Sequence, residues 1–222
     1  MAFQFERPDG FAFTAGQAVD IVLAESPTLQ ADALRHTFSV VSAPQEEAIT
    51  VATRMRDSEF KRALNQLPVG AVAGLEGPFG CLTMHSDRGR AALFIAGGIG
   101  VTPFMSMLRQ AARDESRRQL VLLYSNHRPE DSAWLAELRE LEQQMPDFRL
   151  MPVMTAMNRS SQSWAGLCGR IDAALIRKVC AGLSRPVCYV AGSPNMVASM
   201  RPILNEAGVD DDDIRSEEFH GY

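Results

Sequence analysis

Phe94-Ile95-Ala96-Gly97-Gly98-Ile99-Gly100-Val101-Thr102-Pro103 is the stretch on which the fold turns. An apolar, β-type run stops at three glycines in four residues, and a Thr-Pro pair then opens a helix-patterned segment that reaches residue 113. Glycine lets the backbone turn sharply and leaves main-chain N–H groups open to an anionic ligand. Thr102 is expected as the helix N-cap, with Pro103 at the first helical position, where its missing donor costs nothing. Strand, glycine turn and helix N-terminus make a cradle for a pyrophosphate, because unpaired N–H groups and the helix dipole both favour negative charge. The pattern G-G-x-G-x-T-P departs from the G-x-G-x-x-G fingerprint, and no acidic residue closes the next apolar run, 120–124, to hold a ribose. Taken alone, the turn reads equally as a ligand cradle or as plain strand-to-helix architecture.

Outward from that stretch the chain changes rhythm. From residue 91 onward, strand and helix alternate: strands at 91–96, 119–125, 148–154, 187–191 and 214–219, helices at 103–113, 132–144, 172–182 and 194–207. Such alternation implies a doubly wound, mostly parallel α/β sheet. Before residue 86 the pattern is short β-type runs at 2–6, 18–23, 37–42, 49–55 and 71–76, with one short helix at 58–67 capped by Ser58. Breakers such as Pro8-Asp9-Gly10 and Gly77-Pro78-Phe79-Gly80 separate them, the punctuation of an antiparallel barrel. The charged segment 86–90 is the expected boundary between a β-barrel domain (1–86) and an α/β domain (91–222).

Composition narrows the function classes. Across 222 residues the formal net charge is −5, with 46% hydrophobic and 22% charged residues, which leaves no electrostatic footprint for nucleic acid or an anionic membrane. The four cysteines stand far apart, so neither zinc nor iron–sulfur ligation is expected, and no metal site is assigned. Buried, reduced thiols in a cytoplasmic protein are the expectation. The uncharged run 91–108 is long enough for a membrane span, but its glycines and proline place it in a buried strand, turn and helix instead.

Four motifs in order across both halves resemble the ferredoxin–NADP reductase family of flavoproteins. They are His36-Thr37-Phe38-Ser39, followed by Val40-Val41-Ser42; Gly77-Pro78-Phe79-Gly80; the 97–103 glycine stretch; and Gly192-Ser193-Pro194-Asn195-Met196 with an acidic-aromatic segment beyond it. The resemblance implies an FAD-binding β-barrel followed by an NAD(P)-binding domain, without a fused iron–sulfur domain. It implies hydride transfer from NAD(P)H to FAD, FAD being preferred to FMN, and onward electron transfer to a separate acceptor, protein or small molecule. Phe38 would lie against the flavin, and the Ser39 hydroxyl beside the reactive flavin nitrogen. His36 stands where the family usually has arginine, with Arg35 one position out of register. Thr53, Arg54, Met55 and Ser58 match the second diphosphate segment, against the plainer reading of 53–58 as a solvated charged turn. Gly97, Gly98, Gly100, Val101, Thr102 and Pro103 would cradle the nicotinamide dinucleotide, and Gly192, Ser193 and Met196 would border the nicotinamide. Ala191 replaces a cysteine that many members carry.

Ser125 and Arg128 are candidates for the adenosine ribose or its 2′-phosphate, leaving NADH against NADPH open. Glu217 is the expected proton carrier in preference to Glu218, and Phe219, or else Tyr222, the aromatic that covers the flavin. Family barrels have a strand ahead of the one matching residues 2–6, so the barrel here is expected to lack its first strand or to begin further upstream. Two other readings remain: an electron-transfer subunit or binding module of a larger redox complex with little free turnover, and a flavin-free nicotinamide-dependent dehydrogenase. The oligomeric state is not legible in the sequence.

Overall fold

The computed structural model describes residues 1–23, 34–56 and 58–219. In the N-terminal half, β1 (Ala2–Glu6), β2 (Ala18–Val22), β3 (Arg35–Ser39), β4 (Ala48–Ala52), helix α1 (Glu59–Gln66) and β5 (Gly74–Phe79) follow in order. β1 pairs antiparallel with β4, and β2 lies between β3 and β5. Just beyond β3, Val40 bridges to Val51 and the Val41 amide donates to the Thr50 carbonyl at 2.8 Å, which stitches the two sheets together. The expected barrel is thus two joined antiparallel sheets among the described residues, with β1 at an edge. Val19, Ile21, Phe38, Ile49 and Val51 fill the space beneath α1, whose Phe60 and Leu64 point inward.

Several boundaries differ from the sequence expectation. The last strand of this half is Gly74–Phe79 rather than 71–76: the apolar residues Val69 and Val72 lie on the surface, in the connection after α1. β4 stops at Ala52, three residues early, and α1 begins at Glu59 with Ser58 in the cap position but making no side-chain cap bond.

The C-terminal half opens with β6 (Ala92–Gly97), a 3-10 turn at Gly98–Val101 and α2 (Thr102–Arg113). It continues through β7 (Leu120–Asn126), α3 (Leu135–Gln144), β8 (Phe148–Met154), β9 (Leu167–Cys168) and α4 (Ala173–Cys180). It closes with β10 (Val187–Gly192), α5 (Pro194–Glu206) and β11 (Ile214–Glu218). All the pairings are parallel, in the order β11-β10-β6-β7-β8-β9. A parallel sheet covered on both faces calls for unbroken apolar strands, and Ala92–Ala96 and Val187–Ala191 are buried throughout. Period-two alternation sends Phe94, Ala96 and Tyr189 toward α2 and α3, and Leu93, Ile95 and Val190 toward α4 and α5. The N-terminal half packs on the first of these faces through Ala15, Val41, Ala52 and Leu82.

α3 starts at Leu135, not residue 132, because Trp134 sits in the left-handed region at φ +54 and breaks the helical path. α4 is held at its start by Asp172, whose Oδ1 accepts the Leu175 N–H at 2.8 Å, a cap worth about 1 kcal/mol. The connecting segment after β5 is pinned: the His85 amide donates to the Tyr189 hydroxyl at 2.8 Å, and Arg90 pairs with Asp213 at 2.6 Å. The cysteines are free, and Cys81 and Cys168 are exposed rather than buried. Among the described residues no helix is long and apolar enough to cross a membrane.

Strand order fixes where a ligand can sit. After β6 the chain works outward to β9, then returns to place β10 on the opposite side of β6. The carboxyl ends of β6 and β10 therefore diverge, and that switch point is where open α/β sheets leave a crevice.

Candidate active site

A cavity of about 440 Å³ opens between the two halves. One wall is Ala18, the four residues His36 to Ser39, Ala52, Thr53 and Lys61; the other is Ile99, Thr102, Glu217, Glu218 and Phe219. The volume falls within the range of roughly 300–1,000 Å³ typical of small-molecule sites. Each wall carries a polar atom that is buried without a hydrogen-bond partner, Ser39 Oγ on the first and Glu217 Oε2 on the second. Orphaned buried polar atoms cost free energy, so their presence in the lining of one cavity suits a ligand with polar edges. Burial pushes the Glu217 carboxyl up to about 7. Its β11 position sets it beside Ala191 of β10, and the Phe219 amide donates to the Gly192 carbonyl at 2.9 Å, fixing the aromatic ring at the cavity.

On the β3 side, His36 meets Phe38 edge-on at 4.7 Å between ring centres and Phe60 at 5.4 Å. Burial, then the nearby Lys61 charge, lowers the His36 pKa, partly offset by Asp20. The ring is therefore neutral near pH 7 and carries no charge toward a phosphate. Arg35 does not reach the cavity's interior: it pairs with Glu76 at 2.7 Å and Asp20 at 3.5 Å. Thr37 Oγ1 donates to Asp20 Oδ1 at 2.5 Å.

The segment expected to act as one diphosphate site is split by the structure. Thr53 lines the cavity, Met55 is 39% exposed, and Ser58 heads α1. Arg54 instead crosses to the glycine turn, where a Cβ on Gly98 would stand 3.0 Å from its Nη2. Asp57 lies outside the described residues, as does Tyr222, the second candidate for covering the flavin.

At the switch point the glycines serve close packing as well as a turn. Gly98 adopts φ +55. A Cβ on Gly100 would lie 2.3 Å from the Ala191 carbonyl oxygen, and one on Gly97 would meet the Met196 sulfur. A Cβ on Gly192 would lie 2.9 Å from the same sulfur and 3.5 Å from the Gly97 Cα, so Gly97, Gly192 and Met196 form one close-packed knot. The expected cap is corrected here. Val101 holds the cap position, α2 starts at Thr102 with Pro103 second, and the Thr102 hydroxyl donates back to the Ile99 carbonyl at 3.0 Å. The 3-10 turn at Gly98–Val101 takes up the connection that the sequence placed in a loop, drawing the helical path back to Gly98. Ser193 caps α5, accepting the Met196 N–H at 3.4 Å.

Ser125 and Arg128 stand at the carboxyl end of β7, away from the cavity lining. Arg128 is forked onto Asp131 at 2.8 Å through two nitrogens and lies 3.6 Å from Glu130, so its charge is already met. Beside it is a residue the sequence reading passed over: Asn126 is 4% exposed, with both side-chain amide atoms unpartnered. Its signal was legible, since Leu122, Tyr124 and Asn126 share one face of a strand. Lys61 was also missed. It is buried and lines the cavity, three residues before Leu64 on the inward face of α1.

Comparison with known proteins agrees with this fold. A model of the oxidoreductase NAD-binding domain matches residues 94–202. The chain is 30% identical to ferredoxin–NADP reductase B of Sorangium cellulosum, over 97% of this chain and 89% of that protein. It is 26% identical to the reductase subunit of a glycine betaine monooxygenase from Chromohalobacter salexigens, over 98% of this chain but 59% of the relative's length. Among solved structures, an Amycolatopsis cytochrome P450 reductase superposes with a TM-score of 0.81 at 21% identity, covering 98% of this chain and 64% of that one.

Proposed function

The chain belongs to the ferredoxin–NADP reductase family, and from that premise we propose that it is a flavoprotein oxidoreductase that takes a hydride from NAD(P)H onto FAD and delivers the electrons to a separate acceptor. One observation carries the reading: Ser39 Oγ and Glu217 Oε2, contributed by the two halves, are both buried, unpartnered and set in the same cavity. The residues present fit a flavin. Phe219 offers an aromatic surface to a flat ring, Phe38 backs the same cavity from the core beneath α1, and the Ser39 hydroxyl is free to bond the ring's polar edge. Bound FAD supplies the hydride acceptor and the step from electron pairs to single electrons.

The protein's part is placement and proton handling. Residues 1–86 would supply one wall of the flavin's seat, completed by Glu217 and Phe219, and residues 91–222 would hold the nicotinamide dinucleotide, whose pyrophosphate would take the Gly98–Val101 turn, the start of α2 and the Arg54 guanidinium. Gly192, Ser193 and Met196 would border the nicotinamide, beside Phe219, whose ring would lie over a flavin held in the cavity. Glu217, protonated below about pH 7, would hold a proton at the cavity wall within the site that a bound flavin would occupy. Ser125 and Asn126 are left for the adenosine ribose. The acceptor is a ferredoxin or an oxygenase component, by analogy with the relatives, and a cytoplasmic location suits an enzyme that draws on the NAD(P)H pool.

The test is a visible spectrum of the purified protein followed by anaerobic titration with NADH and with NADPH. A flavin spectrum that bleaches with at least one donor is expected. A colourless protein that takes up no FAD refutes the reading, and a flavin that neither donor reduces refutes the hydride step.

A further inference from the structure

α2 does more than begin at the glycine turn. Thr102 in its first turn lines the cavity, and Ser106 and Arg109, four and seven residues on, share that face of the helix. Ser106 Oγ donates to the Ser42 carbonyl at 2.6 Å, with both residues fully buried. Ser42 lies three residues beyond Ser39, and its own hydroxyl accepts the Thr50 amide at 3.0 Å, tying it to β4. One turn further along α2, Arg109 Nη1 lies 3.5 Å from Glu46 Oε2, while Glu46 Oε1 accepts the Ala43 amide at 2.7 Å. The rest of the Arg109 guanidinium forks onto Glu137 of α3 at 2.7 and 3.0 Å. The helix that starts at the dinucleotide cradle is thereby fastened to the chain leaving the flavin strand.

We propose that Ser106 and Arg109 are positioning residues for hydride transfer, fixing how closely a nicotinamide held at the start of α2 approaches a flavin held against β3. The inference rests on the function proposed above. Reacting atoms must come within about 3–3.5 Å, and a misplacement of about 1 Å costs on the order of a hundredfold in rate. Either link transmits a shift of α2 directly to residues 42–46, and from there to Ser39.

The test compares wild-type holoenzyme with Ser106→Ala and Arg109→Gln, alongside the conservative Ser106→Thr and Arg109→Lys. Anaerobic rapid mixing with NADH or NADPH separates the limiting rate of flavin reduction from the half-saturating donor concentration. Nicotinamide deuterated at the transferred position gives the isotope effect, and hydrogen exchange reports on the 41–50 amides. Ser106→Ala and Arg109→Gln should each lower the limiting rate about tenfold, with half-saturation and flavin content within about twofold, a changed isotope effect and faster exchange at 41–50. Ser106→Thr should recover most of the rate. A limiting rate within about twofold of wild type in both variants overturns the proposal, as does a loss explained entirely by flavin release or by weaker donor binding. A wild-type flavin that neither donor reduces overturns the function and this inference together, whereas normal wild-type reduction with insensitive variants overturns the inference alone.

Discussion

Replacing Glu217 with glutamine should stabilise the flavin-free protein at alkaline pH and do little at acid pH. The Glu217 carboxyl sits at about 7 against an ordinary 4.5, and burial is the cause. A carboxyl whose pKa is raised by folding binds its proton more tightly in the native chain than in the unfolded one. Stability is therefore full below about pH 4.5, falls as the pH climbs toward 7, and is flat above that. Each tenfold change in proton affinity is about 1.4 kcal/mol, which puts the cost of the ionised carboxylate at about 3 kcal/mol, or about 2 kcal/mol after allowing for residual solvent contact. Glutamine carries no charge at either pH. Urea denaturation of wild type and Glu217→Gln at pH 4.5, 6 and 8 should show a stability gap that widens by about 2–3 kcal/mol across the series in favour of the variant. Other titrating groups cancel in the difference. A gap that stays constant to within about 0.5 kcal/mol would mean that the carboxyl titrates normally and that water reaches this end of the cavity.

Ser39→Ala should retain flavin while slowing its reduction by about tenfold or more, measured by rapid mixing, and should leave the flavin-free protein no less stable, since the lost hydroxyl has no partner. Gly100→Ala should destabilise by about 3 kcal/mol or more, seen as loss of soluble protein or a large drop in melting temperature, because its Cβ would strike the Ala191 backbone oxygen at 2.3 Å. Gly97→Ala meets a side chain instead of backbone, so adding Met196→Ala should recover most of its loss in a double-mutant cycle. Arg35→Ala should leave FAD affinity within about twofold and cost about 1 kcal/mol, since its pair with Glu76 is exposed, its 3.5 Å contact to the buried Asp20 is long, and Asp20 keeps the Thr37 hydroxyl as a partner.

The β6-turn-α2 unit was readable because glycine, threonine and proline have backbone requirements that no neighbour alters. Phe148–Met154 and Ala2–Glu6 match their expected bounds for a related reason: apolar or alternating runs flanked by breakers. β5 was misplaced because the apolar residues at 69–73 resemble a strand, whereas the real strand carries Gly77 and Pro78. A sheet edge tolerates that pair, and β5 is an edge. β9, two residues long, has no periodicity to detect. Ser39 and Glu217 were named from motif resemblance, but that both are orphaned depends on packing between segments at opposite ends of the chain. The links through Ser106 and Arg109 were invisible for the same reason: a serine inside a helix carries no signal until Ser42 is brought against it.

The cavity takes one wall from residues 18–61 and the other from residues 99–219. Neither half encloses it, so a chain with only one half native has a groove in place of a pocket. Occupancy by a flat aromatic ligand becomes a logical conjunction: it reports that both units have folded and docked, and a ligand that binds there drives the docking by mass action. Quality control of this protein thus reduces to a single optical reading, in which retained chromophore certifies the whole assembly at once.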